Sequence, residues 1–259
     1  MRSWGFYSNI ESIKKRFLAR HFKDNNGHLY EGTLSDFREG RMGTFDPKTD
    51  DTDTSLAPIK AVEAALKLND DKLMDGLSQL GDLDNFATFW ALNVLIGNLD
   101  SYFTKGNNFF IYFEPSAGGK MHFIPWGVDA TFRGSINVDD EGRVYVAGLS
   151  SNPIFARRLY NLLTGQEKFI AAMSSLLNEV WNEVVLLDEI DRDEIDRIEK
   201  LIGAFAIKYS YKGDFVASVV ALRDFVTSRR PEMQRIVDNP LILDQRKRAR
   251  KPLPQQRGC

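Results

Sequence analysis

A chain of 259 residues allows one large domain or two modest ones, with length enough for a real hydrophobic core. Apolar residues at 43% and charged residues at 27% exclude wholesale disorder and collagen-like order. With 34 Lys+Arg against 36 Asp+Glu, the net charge of -2 sets up no global field for nucleic acid or an anionic membrane, and the lone Cys259 excludes an internal disulfide or a thiolate metal cluster.

The chain opens on Met1-Arg2-Ser3-Trp4-Gly5-Phe6-Tyr7, with no charged segment leading into an apolar stretch, and no later run approaches the roughly 20 apolar residues that span a bilayer. No membrane segment is therefore expected. Ile10, Ile13, Phe17 and Leu18 recur at helical spacing, with Lys14, Lys15, Arg16 and Arg20 between them, which predicts a short amphipathic helix with a basic solvent face. Asp24-Asn25-Asn26-Gly27 is a turn signal, and His28-Leu29-Tyr30-Glu31-Gly32 reads as a short strand in which His28, lacking a nearby Cys or His, is structural. Residues 36–55 are rich in Gly, Asp and Thr. Asp46, Asp50, Asp51 and Asp53 lie close together there, but the fixed ligand steps and closing Glu of a helix-loop-helix calcium loop are absent, so a solvated loop is expected.

From 56 to about 97 the pattern is helical, and Ala61, Ala64 and Ala65, then Leu73, Leu77 and Leu80, then Phe86, Phe89, Trp90, Asn93 and Ile96 are the expected core faces. After Asn98 the period changes. Asn108-Phe109-Phe110-Ile111-Tyr112-Phe113 reads as a buried strand, 115–119 as a turn and Lys120-Met121-His122-Phe123-Ile124-Pro125 as its partner, making a hairpin. Helical spacing returns with Phe169, Met173, Leu176, Leu177, Val180 and Val184, then Ile190, Ile195, Ile198, Leu201, Ile202 and Phe205, then Phe215, Val219, Leu222 and Phe225. The basic run from Gln245 to Pro252 has no interleaved aromatic for base stacking and reads as a solvated tail, so no nucleic-acid partner is inferred. These readings give a mostly helical α+β domain at 1–240 with a small central hairpin, and a basic disordered tail at 241–259.

Polar residues gather where the hairpin enters and leaves: Asn98, Asp100, Asn107 and Asn108 before it, Asp129 after it. A hairpin brings its flanks together, and a set made of Asp100, Asn108 and Asp129 offers hard oxygen ligands suited to Mg2+ beside a phosphate, with a spare carboxylate to orient a hydroxyl nucleophile. Spacing alone leaves open the plainer reading in which Asp100 caps one turn and Asp129 starts another.

The wording of these segments carries more. Gly97-Asn98-Leu99-Asp100-Ser101-Tyr102, Asn108-Phe109-Phe110-Ile111-Tyr112 and Phe123-Ile124-Pro125-Trp126-Gly127-Val128-Asp129-Ala130-Thr131-Phe132 resemble, in order and spacing, the core of the spore coat protein H (CotH) kinase family, which reads N-x-D-S-Y, N-Y-Y-L-Y and F-x-x-P-W-D-x-D-x-T-F. The segment from Gly5 to Leu18 resembles its G-x-Y-x-x-x-E-x-v-d-k-x-F-L, and Asn26-Gly27-His28-Leu29-Tyr30 its G-N-L-Y, so the likeness covers about residues 5 to 230.

That resemblance implies an atypical protein-kinase-like fold, here mostly its helical C-terminal lobe, and transfer of phosphate from ATP to serines of coat or surface proteins with Mg2+. It implies further that Asp100 is the catalytic aspartate orienting the substrate hydroxyl, and that Asn108 and Asp129 hold the metal on the ATP phosphates. Trp126 then packs under the metal loop, and Asn98 and Tyr102 support it. Two departures stand out. The family generally has an acid where this chain has Gly127; if that acid carries metal, a ligand is gone, and Gly127→Asp should raise activity at low Mg2+. The chain also begins at what resembles the hinge after the ATP-gripping lobe, with no phosphate-pairing lysine strand before Trp4, so weak MgATP binding is expected, and a signal peptide or lipoprotein anchor could have preceded it. The alternatives are a noncatalytic coat or surface interaction protein on the same scaffold, and a phosphotransferase acting on a small molecule.

Overall fold

Strand β3 (Phe109–Glu114) is buried at all six positions and pairs antiparallel with β4 (Lys120–Pro125), from Phe109↔Pro125 to Glu114↔Lys120. An aromatic and β-branched run of this kind fits a pleated, half-buried surface. The computed structural model describes residues 10–49, 56–134, 137–138, 144–146, 148–149, 153–191 and 215–239. The tail, Asp50, Asp51, Asp53 and the stripe from Ile195 to Phe205 lie outside them.

The expected hairpin is half of a larger sheet. β1 (His28–Gly32) pairs with the free edge of β3, from His28↔Phe113 to Gly32↔Phe109, and β2 (Phe45–Pro47) adds to β1, giving the antiparallel order β2-β1-β3-β4. β2 is three residues inside the segment expected to be loop, and its Asp46 faces Glu31 across the pair with Lys48 bridging both carboxylates at 2.5 and 2.7 Å. Residues alternate between faces. Tyr30, Phe109, Ile111, Phe113, Met121 and Phe123 join the main helical core, while Leu29, Phe110, Tyr112 and Ile124 pack on Ile13 and Leu18. Leu18 belongs to α1 (Lys15–His21), which starts later than the spacing suggested and leaves Ile10 66% exposed.

Helices α2 (Ala57–Ala65), α3 (Asp70–Leu80) and α4 (Leu83–Leu95) follow. The Asp82 carboxylate accepts from the Asp84 and Asn85 amides, an N-cap that starts α4. α4 lies against β4 and buries Phe86, Phe89, Trp90 and Val94 in one aromatic cluster. The face of α2 differs from expectation: Ala61 and Ala64 are exposed, and the bulkier Ile59, Val62 and Leu66 are buried with Ala65. Larger apolar surface outcompetes methyl groups for the core.

After the single turn α5 (Tyr102–Lys105) and the hairpin come a small two-stranded sheet of β5 (Asn137–Val138) and β6 (Val144–Tyr145), then α6 (Ile154–Tyr160), α7 (Leu163–Ser175), α8 (Glu183–Asp191) and α9 (Phe215–Asp238). Phe169, Met173, Leu176 and Leu177 are buried as expected, whereas Val180 and Val184 are exposed. The cause is local: α7 widens into a π-helical turn at Leu176–Val180 and breaks at Trp181, so the 3.6-residue phase is lost, and Trp181 goes inward instead. Arg229 of α9, itself buried, donates to the carbonyls of Leu95 (2.7 Å) and Val94 and lies over the Phe225 ring. It thereby satisfies the Leu95 carbonyl at the end of α4 and adds to the Gly97 amide on that of Val94. Among the described residues no helix is long and apolar enough to cross a membrane.

Candidate active site

The loop leaving α4 is held by a ladder of amides. Asn93, buried on the helix, donates to Phe89 O at 2.8 Å and accepts from Asn98 Nδ2 at 3.1 Å; Asn98 Oδ1 in turn accepts the Asp100 amide at 3.1 Å. The next turn is closed by Thr104, whose hydroxyl accepts the Ser101 amide at 3.1 Å and donates to Leu99 O at 3.0 Å. Asp100 is thus placed by a chain of bonds reaching back two turns into the core.

Asn108 faces it from the entrance of β3. Its side-chain nitrogen donates to both the Asp100 carbonyl and Asp100 Oδ2, each at 2.9 Å, while Asn107 Nδ2 reaches the same Oδ2 at 3.2 Å and Lys105 Nζ pairs with Oδ1 at 3.2 Å. Asn108 adopts φ +54°, a left-handed conformation that asparagine tolerates better than most residues. With its nitrogen engaged twice, Oδ1 is turned toward Gly127, where a Cβ would stand 2.6 Å from Asn108 Cγ and 2.7 Å from Oδ1.

Asp129 sits on the turn Val128–Ala130 just beyond. The turn is tied on both sides, by the contact of Gly127 with Asn108 and by the Leu99 amide donating to Ala130 O at 3.0 Å; the Phe132 amide donates to Ile96 O at 2.7 Å. The Asp129 residue is exposed, and its carboxylate has no hydrogen-bond or ion-pair partner among the described residues. Asp100 and Asn108 therefore touch directly, and Asp129 rides on a loop bonded to the neighbours of both. Trp126 packs edge-on against Phe110 at 5.7 Å, on the α1 side of the sheet.

Sequence reasoning gave no role to Lys105 and placed Asn93 on a core face without linking it to the site. Lys105 carries no signal beyond proximity, but an asparagine on an otherwise apolar helix face was a legible cue, because a buried amide requires partners.

A family model described as CotH kinase protein matches residues 2–233. The chain belongs to the CotH kinase protein family. It is also 25% identical over 171 residues to Invasin CotH7 of Rhizopus delemar, a match covering 62% of this chain and 28% of that relative, so the chain spans well under a third of the fungal protein.

The CotH assignment raises the question of whether these side chains suit Mg2+ and a nucleotide phosphate. Among the described residues no three-member cluster of His, Cys, Asp and Glu could hold a metal by itself. The donor set nevertheless has the hard-oxygen chemistry Mg2+ prefers, since that ion commonly keeps waters and takes one or two carboxylates together with substrate phosphates. Among the described residues Asn108 Oδ1 and the Asp129 carboxylate are unengaged; the oxygens of Asp100 are already met by two amides and a lysine. Gly127 speaks against simple restoration of the CotH acid. At φ +57°, with the Asn108 amide filling the space beside it, an aspartate there would have to displace the Asn108 side chain.

Proposed function

We propose that this CotH chain carries the phosphotransfer machinery of an ATP- and Mg2+-dependent protein kinase acting on serine hydroxyls of coat or surface proteins. The observation that carries the reading is the Asn108 amide, which clamps Asp100 through its nitrogen and leaves its oxygen toward the turn bearing Asp129. On this reading Asp100 accepts the proton of the incoming serine as its oxygen bonds to the γ-phosphorus and the bond to the β,γ-bridging oxygen breaks, releasing ADP. Lys105 and Asn107 keep the Asp100 carboxylate oriented, and the amide ladder through Asn98 and Asn93 fixes its backbone. Asn108 and Asp129 would hold the Mg2+, which when bound neutralises charge on the ATP phosphates.

A second reading, a noncatalytic coat or surface interaction protein, is favoured by one observation, Gly127 in place of the family acid; the fungal relative bears the name invasin. Radiolabelled ATP, a serine-rich acceptor and the Asp100→Asn variant separate the two. Label entering the acceptor with the parent chain and lost with the variant supports the kinase, while equal incorporation by both leaves the interaction scaffold.

A further inference from the structure

Beside this site lies a second polar concavity, of about 320 Å³, that none of the chemistry above uses. Its walls are Asp36, Arg38 and Arg41 from the loop after β1, Thr104 and Lys105 from α5, and Pro153 ahead of α6. The two walls are stitched together where the Ser35 amide donates to Gly106 O at 2.7 Å; Gly106 is at φ +69°, and a Cβ there would stand 2.7 Å from Ser35 O.

Three cations and one acid line it, and the acid is fully engaged. Asp36, 3% exposed, accepts the Phe37 amide at 2.9 Å, the Ile154 amide at 3.0 and 3.1 Å on its two oxygens, and Arg38 Nε. The hydroxyl of Thr104 donates to Leu99 O. What remains to meet a ligand is donors. The two terminal nitrogens of Arg38 make no hydrogen bond among the described residues, Arg41 makes one, to Leu34 O at 3.2 Å, and Lys105 has its single contact with Asp100. Asp36 holds Arg38 by Nε and so presents the open fork outward, a geometry that suits oxyanions.

We propose that this cavity binds a phosphomonoester dianion carried on a peptide, a phosphoserine close in sequence to the serine addressed by Asp100. A carboxylate can be met by one arginine fork, whereas three cations converging on one opening match a phosphoserine, with its three acceptor oxygens and charge of about -1.5 to -2 at pH 7. The cavity opens to solvent one lysine side chain from Asp100, a gap that a few residues of extended peptide bridge at about 3.3 Å each. A phosphate in the cavity shares Lys105 with the Asp100 carboxylate and tethers the peptide there, so a serine already modified holds its neighbour beside Asp100 and favours transfer to it. This last step rests on the kinase reading; the binding does not.

The test measures binding without turnover, by fluorescence anisotropy of the full chain with one labelled peptide carrying Ser, Glu or phosphoserine at the same position. The phosphoserine form is expected to bind at least about ten-fold tighter than the serine form, with Glu between them and inorganic phosphate competing. Arg41→Gln and Lys105→Gln should each reduce that preference about three- to ten-fold at an unchanged unfolding temperature, keeping the test independent of Arg38, whose removal also disturbs Asp36. Equal binding of the three peptides, or a preference that survives the Arg41→Gln/Lys105→Gln double variant, overturns the proposal. So does tighter binding of MgATP than of the phosphopeptide at these cations. A chain that captures the phosphopeptide but transfers no phosphate supports the cavity and sinks the kinase instead.

Discussion

The β3–β4 hairpin carries polar groups at both ends, and the two ends differ in what their atoms have left to do. At the turn end Glu114, 7% exposed, accepts the Lys23 amide at 2.8 Å, the Asp24 amide at 3.3 Å and the Ser116 hydroxyl at 2.9 Å, with His122 Nε2 at 3.5 Å. Tyr112 beside it donates to Asp24 O and accepts the Gly27 amide at 3.0 Å. These bonds turn inward and pin the loop between α1 and β1. At the open end Asn108 Oδ1 and the Asp129 carboxylate stay unengaged among the described residues, and the left-handed backbone, which at the turn end is confined to Gly118 and Gly119, includes the non-glycine Asn108. Partial burial and polarity alone do not separate a structural cluster from a chemical one. Oxygens left unengaged beside a non-glycine residue in the left-handed region do.

The contrast is sharpest in Asp100→Asn. If the open end does chemistry, phosphate transfer falls about 10²- to 10⁴-fold, the range expected for loss of a positioned general base, while thermal unfolding is nearly unchanged. Glu114→Ala is the mirror experiment. It strands two partly buried amides and should lower stability in urea by about 1–2 kcal/mol while transfer per folded molecule stays level; a loss of transfer would join the two ends into one functional unit. Gly127→Asp is expected to cost about 1–3 kcal/mol of stability through its positive φ and its collision with Asn108, with no gain at low Mg2+. Rescue of activity at low Mg2+ would show that Asn108 moves aside without loss.

The smallest effect is the pH dependence of the turn end. Burial pulls His122 below its ordinary 6.5, outweighing the attraction of Glu114. Burial pushes the Glu114 carboxyl up, but the Ser116 hydroxyl, the Asp24 and Lys23 amides and the His122 charge together bring it below 4.5. Both groups bind protons more readily in the unfolded chain, so stability is full above 6.5 and falls with acid, first through His122 and then, below 4.5, through Glu114. His122→Gln should flatten the first phase in pH-dependent chemical denaturation. An unaltered first phase assigns it to another group.

The hairpin, the helices of the first half and the contact between Asp100 and Asn108 could be read from period and motif because each is local. β2 could not: three residues are too few to show an alternation, and their pairing with β1 is a contact that no local period encodes. Nor could the π-helical turn that exposes Val180 and Val184, since one widened turn alters no residue type while changing every later phase. The pairing of Lys105 with Asp100 joins residues five apart across a capped turn, a geometry that helical and strand periods do not encode. The pocket lining is the extreme case, with Arg38 and Lys105 brought together by tertiary structure alone.

The strand order also sets a timetable. On the ribosome, at roughly 5–20 residues per second, β1 emerges several seconds before β3 can cover its edge. Through that interval it has one early companion, β2, thirteen residues downstream and fastened by Lys48 across Glu31 and Asp46. A three-residue strand ending in proline is thus placed to shield one side of β1 in the nascent chain until β3 claims the other.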